Sequence, residues 1–130
     1  MIKPASIQVR FSDLDVMGHV NNSVYLSYFE MARVHYFAAI LGLQWNWNEH
    51  SVLLVRNEID YLSPILLHQK PLVYIHLENI GNKSFTLGYQ IKVNDKIVTK
   101  GKSIMVAYDV KNSKTISIPD KMRDALINNK

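Results

Sequence analysis

Residues 11–41 read FSDLDVMGHVNNSVYLSYFEMARVHYFAAIL, and their character changes at Ser23. Before that point the segment is polar, contains Gly18 and reads as a loop. After it, Tyr25, Tyr28, Phe29, Ala32, Tyr36 and Ala39 recur at spacings of three and four, the period of an amphipathic helix. Val24, Met31 and Phe37 widen the apolar face beyond one stripe. The spacing therefore predicts a helix from Ser23 to Leu41 that other elements wrap. Asn21, Asn22 or Ser23 supplies the N-cap, and Gly42 stands where a helix commonly ends.

Outward from this helix the chain reads as strands. Ser6–Phe11 precedes it. Val52–Tyr61 follows and stops at Ser63-Pro64. Leu72–Ile80 ends at the Gly81-Asn82 turn signal, and Ser84–Val93 turns at Asn94-Asp95 into Lys96–Tyr108. Thr115–Ile118 is a short edge, and Pro119 opens a helix over Asp120–Ile127. One long helix with a run of tight hairpins predicts an α+β fold, a curved antiparallel sheet of five or six strands around a central helix. No repeat or linker divides the 130 residues, which suit a single domain.

Composition narrows the function. Apolar residues make up 48% and charged residues 20%, so the chain can build a core and is not of the disordered class. The absence of cysteine excludes disulfides, thiolate zinc sites and cysteine nucleophiles. The first ten residues lack the apolar stretch of a signal peptide, and no run approaches the length needed to span a bilayer, so a soluble cytoplasmic protein is expected. Residues 1–65 carry four basic and six acidic side chains, and residues 66–130 carry eleven and five. The basic second half suits a solvated outer face or an anionic partner. No aromatic and basic platform argues for nucleic acid, and no membrane partner is expected.

The chemistry concentrates before the helix, where Asp13, Asp15, His19, Asn21 and Asn22 fall together. Free N–H groups and the positive end of the helix dipole point at whatever binds there. Such donors stabilise an oxyanion forming at a carbonyl. A carboxylate there can attack an acyl carbon or activate water, and a histidine can orient it or move a proton. Capping and turn chemistry alone account for some of these residues, but they exceed what one cap uses. Asp13, Asp15 and His19 could also be metal ligands, yet the other histidines are scattered and offer no fourth. No G-x-S-x-G elbow, phosphate loop or dinucleotide fingerprint occurs.

The segment SDLDVMGHVNNSVYLSYFEMAR resembles the hot-dog-fold acyl-CoA thioesterases of the 4-hydroxybenzoyl-CoA thioesterase type, and VRNEIDYLSPI resembles the strand that follows their central helix. The first segment is also similar to the catalytic half of plant acyl-acyl-carrier-protein thioesterases. The resemblance implies a hot-dog fold, a homodimer or homotetramer with sites at the dimer interface, and hydrolysis of an acyl-CoA to a free acid and CoA. It implies no metal or other cofactor, coenzyme A being part of the substrate. Asp15 matches the catalytic carboxylate, the N–H near Asn22 the carbonyl-polarising donor, and His19 the histidine of the plant-type HVNN motif. Gly18, Val20 and Tyr25 lie within the matched motif and are expected at the substrate. The plant enzymes carry an asparagine two residues after the aspartate, where this chain has Met17.

Glu58 matches a glutamate that is a site candidate in the plant enzymes. Strand alternation instead turns Ile59, Tyr61 and Asn57 toward the helix and Glu58 away from it. Lys83 and Ser84, in a turn, are candidates to meet the pantetheine or the nucleotide phosphates, with Lys100 or Lys102 as substitutes. Glu30 and Arg33 have the spacing of a helical ion pair at a surface or interface. Two further readings stay open, a non-catalytic acyl-CoA-binding module and a thioesterase acting on carrier-protein thioesters. A hot-dog dehydratase is disfavoured, because Val20 rather than glycine follows His19.

Overall fold

Two adjacent residues with left-handed backbone, Asn94 and Asp95 (φ 51° and 66°), fold the chain back between two of its longest strands. Such a two-residue turn matches the twist of the strands that it joins. In the computed structural model, which describes residues 2–130, these strands are β4 (Ser84–Val93) and β5 (Lys96–Asp109). With β1 (Ala5–Ser6), β2 (Ser51–Tyr61), β3 (Leu72–Ile80) and β6 (Lys114–Thr115) they form one six-stranded sheet. Its order is β1-β3-β4-β5-β2, every pair is antiparallel, and β6 adds to the end of β5. Register shifts at Leu54/Arg56, Leu77/Asn79 and Ile91/Lys92 give the sheet the local bends that curvature requires.

The sheet curls around α1 (Tyr25–Leu41). Tyr25, Tyr28, Phe29, Ala32 and Tyr36 are buried as the helical period predicts, whereas Ala39 is exposed and Phe37 and Leu41 take the inner face. Phe29 stacks on Tyr89 of β4 with ring centroids 4.0 Å apart and planes at 5°. A fully buried side chain of this size contributes about 2–3 kcal/mol. Gly42, at φ 81°, ends the helix and donates its N–H to the Ala38 carbonyl. A short helix α2 (Asp120–Asn128) seals one end of the core with Met122 and Leu126. Among the described residues no helix is long and apolar enough to cross a membrane.

The first strand is shorter than expected. Burial still alternates through Ala5, Ile7 and Val9, but the residue facing Ile7 is Pro71, which has no N–H to return the bond. Pairing stops there, and Phe11–Asp13 forms a 3-10 turn. The final edge is likewise two residues long. Beyond it, single backbone bonds from Ile116 to Ala107 and from Ile118 to Asn82 hold the segment down.

Candidate active site

The loop before α1 is a miniature hairpin. Leu14 bridges Val20, the Asp15 N–H donates to the His19 carbonyl at 2.8 Å, and the Gly18 N–H donates to the Asp15 carbonyl at 3.0 Å. Gly18 takes φ 77°, so any side chain there strains the backbone although space is open around it. The Asp15 carboxylate is half-buried, and its Oδ1 accepts the N–H groups of Met17 (2.9 Å) and His19 (3.3 Å). Two backbone donors thus fix the orientation of the group, and both use Oδ1. Val16 and Met17 project into solvent at the tip, and His19 is half-buried and bridges Leu66.

Asn21 is the cap. Its side-chain oxygen accepts from the N–H and hydroxyl of Ser23 at 3.0 and 2.9 Å. Asn22 opens the 3-10 turn that leads into α1, so its own N–H has no helical partner. The Tyr61 hydroxyl donates to the Asn22 carbonyl at 3.1 Å, tying the end of β2 to the helix start. Tyr25 is buried edge-on to Tyr61 with ring centroids 4.9 Å apart, and burial pushes its phenol up. Val20 is buried and donates its N–H to Ile65, so it holds the loop rather than meeting solvent. The Asp15–His19 hairpin and the N–H of Asn22 therefore belong to one short segment that enters α1.

Asp13 was legible only as one of several polar residues. It is 2% exposed, and its carboxylate accepts the Tyr28 hydroxyl at 2.7 Å, the Arg10 N–H at 3.0 Å and the Arg10 guanidinium at 2.9 Å. Its carbonyl accepts the Asn21 N–H at 2.9 Å. Burial raises its pKa, but these donors outweigh that and hold the carboxyl below its ordinary value. Asp13 is thus committed to the loop's foundation, and among the described residues no three of His, Asp and Glu converge as metal ligands would.

Four candidates move away from the loop. Glu58 faces the outer side of the sheet, opposite Lys102, and pairs with Arg56 at 2.8 Å. Strand alternation puts it there, which corrects its place among the catalytic candidates. Asn57 does face the helix, about 13 Å along β2 from Tyr61. There it accepts the Ser103 hydroxyl at 2.6 Å in a chain that continues through Tyr89 to Arg33. Lys83 and Ser84 sit in the β3–β4 turn, at the opposite end of the sheet from Tyr61. The ladder separates them from this chain's own Asp15 loop by about 26 Å, so they cannot serve it from within one chain. Lys100 and Lys102 lie on the outer face, where Lys102 pairs with Glu78 at 3.0 Å.

Glu30 and Arg33 do not pair with each other. Glu30 is exposed, whereas Arg33 is 8% exposed and donates to the Tyr89 hydroxyl at 3.0 Å. Both line a cavity of about 460 Å³ whose walls include Val34, Phe37, Trp47, Val52 and Met105. The cavity occupies the angle between the C-terminal half of α1 and the start of β2.

A sequence profile of the Thioesterase-like superfamily matches residues 9–126. The long-chain acyl-CoA thioesterase FadM of Escherichia coli is 28% identical over 123 residues, covering 92% of this chain and 93% of the relative. A thioesterase of Thermus thermophilus, solved in complex with coenzyme A and Zn, is 32% identical with a TM-score of 0.83. That match covers 97% of this chain and 92% of the other. A predicted thioesterase from Bacillus stearothermophilus gives a TM-score of 0.88 at 28% identity, covering 98% and 95%.

Proposed function

The chain belongs to the Thioesterase-like superfamily, and from that premise we propose that it hydrolyses acyl-CoA to a free carboxylic acid and CoA, with Asp15 as the catalytic carboxylate. The observation that carries this reading is the placement of a backbone-anchored carboxylate at the same helix end as the unpartnered N–H of Asn22. The thioester carbonyl docks against that N–H. Oδ2 of Asp15 takes a proton from a water molecule, whose oxygen adds to the carbonyl carbon. The N–H of Asn22 and the helix dipole stabilise the oxyanion. Collapse of the intermediate breaks the carbon–sulfur bond, and the thiolate leaves and collects the proton. Direct attack by the same oxygen would form a mixed anhydride. After a single turnover in heavy-oxygen water, label in Asp15 identifies the anhydride route with water attacking the aspartyl carbonyl, whereas direct attack of water on the thioester labels only the free acid.

The active unit is proposed to be a homodimer built on β2. Within the chain this strand pairs with β5 on one side only, and Leu53, Leu54 and Val55 along it are exposed. An apolar strand with an open edge is a template for a second strand. Two-fold pairing runs the two β2 strands antiparallel. It therefore brings the apolar cavity of one copy, with its Lys83 turn, toward the Asp15 loop of the other. That arrangement supplies a wall for the acyl chain and a cation for the nucleotide phosphates.

The test is a thiol-release assay against acyl-CoAs from acetyl to palmitoyl and benzoyl. Asp15→Asn is expected to lower kcat by about 100-fold or more while circular dichroism stays unchanged. A folded Asp15→Asn enzyme with near-wild-type turnover sinks the assignment. Saturable acyl-CoA binding without turnover by the wild type indicates the binding module instead.

A further inference from the structure

We propose that Glu30 and Arg33 form reciprocal ion pairs across a two-fold axis with Arg33 and Glu30 of a second copy of this chain. The inference rests on the homodimer just described and names the contact that completes it. A buried guanidinium is costly to hold without a counter-charge. Arg33 is 8% exposed, yet among the described residues it has no carboxylate partner, and its one side-chain hydrogen bond goes to the neutral Tyr89 hydroxyl. Glu30 stands one turn earlier on the same helix, is exposed, and also makes no ion pair among the described residues. The two groups have the spacing to pair within the helix and do not. Both instead line the cavity beside β2, whose exposed wall includes Val34 at 67%.

Symmetry supplies the missing partner. In an isologous contact, if residue i meets residue j, then j meets i. Antiparallel helices that place Glu30 opposite Arg33 have their axis between positions 31 and 32, close to the middle of α1. The same axis leaves the two β2 edges facing each other. One carboxylate and one guanidinium per chain thus become two pairs per dimer, shut in by the apolar wall of the cavity.

Charge reversal tests this. Glu30→Arg changes an exposed side chain, so the monomer is expected to keep its fold by circular dichroism. Its dimer sets two guanidinium groups together where a carboxylate met Arg33, and sedimentation should show the dissociation constant raised by about 30-fold or more. Arg33→Glu should weaken the dimer similarly, by setting two carboxylates together. Mixed with each other, the two variants regain opposite charges across the axis, because each retains the group that the other needs. Native mass spectrometry of the mixture, with one variant tagged, should show a heterodimer at concentrations where each variant alone is monomeric. If Arg33→Glu fails to fold, Arg33→Gln takes its place, and the heterodimer should still form in preference to the Glu30→Arg homodimer. A Glu30→Arg dimer of wild-type affinity overturns the proposal, as does a mixture of folded variants that stays apart. A monomeric wild type removes the homodimer and this contact together. An inactive wild type that dimerises through these pairs removes only the hydrolase reading.

Discussion

Asp13 stands two residues before the carboxylate proposed for chemistry, and its own carboxylate joins the loop, the central helix and the cap. The bond from Tyr28 matters most, because it crosses from the buried face of α1 to the loop. A hydrogen bond to a buried charge contributes about 1.5–3 kcal/mol, so Tyr28→Phe is expected to lower unfolding stability by that amount in a urea titration. The pH dependence follows from the depressed pKa of Asp13. A depressed carboxylate adds stability that is fully present above its ordinary value of 3.8 and is lost as pH falls through the lower, folded value. Tyr28→Phe weakens that depression, so its acid-unfolding midpoint should move to higher pH than in the wild type. At this scale the sequence was legible wherever the partner is local, as with Asn21 and its cap. The Tyr28–Asp13 bond spans fifteen positions, and no periodicity relates a loop aspartate to a helical tyrosine. Arg33 was read as one half of a helical ion pair with Glu30 at a surface or interface for a similar reason. Its burial follows from Tyr89, fifty-six positions away, which offers it an acceptor inside the sheet.

Among the strands, two glycines make opposite predictions. A Cβ on Gly101 would lie 2.6 Å from the Phe29 ring and 2.9 Å from the Glu58 carbonyl. Phe29 is pinned by its stack on Tyr89, and the carbonyl belongs to the neighbouring strand, so neither can yield. Gly101→Ala should cost about 1–3 kcal/mol in the same titration. A Cβ on Gly88 meets only the ends of His76 and Glu78, which lie on the outer face and can swing into solvent. Gly88→Ala should therefore cost less than Gly101→Ala, and an equal loss would contradict this account of the inner face. The four long strands, β2 to β5, were readable almost to the residue. Their limits are set by local turn chemistry at Gly81-Asn82 and Asn94-Asp95, which any one hairpin carries in its own sequence. β1 was overestimated because its end depends on Pro71, more than sixty positions later.

The molecule as one chain is unfinished along one side. β2 has an open edge, α1 shows Val34 beside it, and the cavity between them carries a buried cation. Association that buries this side stabilises the folded form by mass action, so the thermal midpoint should rise with protein concentration. A midpoint constant over a hundredfold range of concentration would mean that the chain folds and stays alone. The order of the strands in the sheet also matters while the chain is being made. β2 leaves the ribosome early, but its partner strand, β5, begins only at Lys96, after β3 and β4 have emerged. During that interval a run of leucines and valines has neither a neighbouring strand nor a second copy to cover it. A nascent chain that has emerged as far as Val93 is therefore the stage at which a holdase chaperone has most to bind, and emergence past Asp109 narrows that binding site to the open edge that a second copy covers.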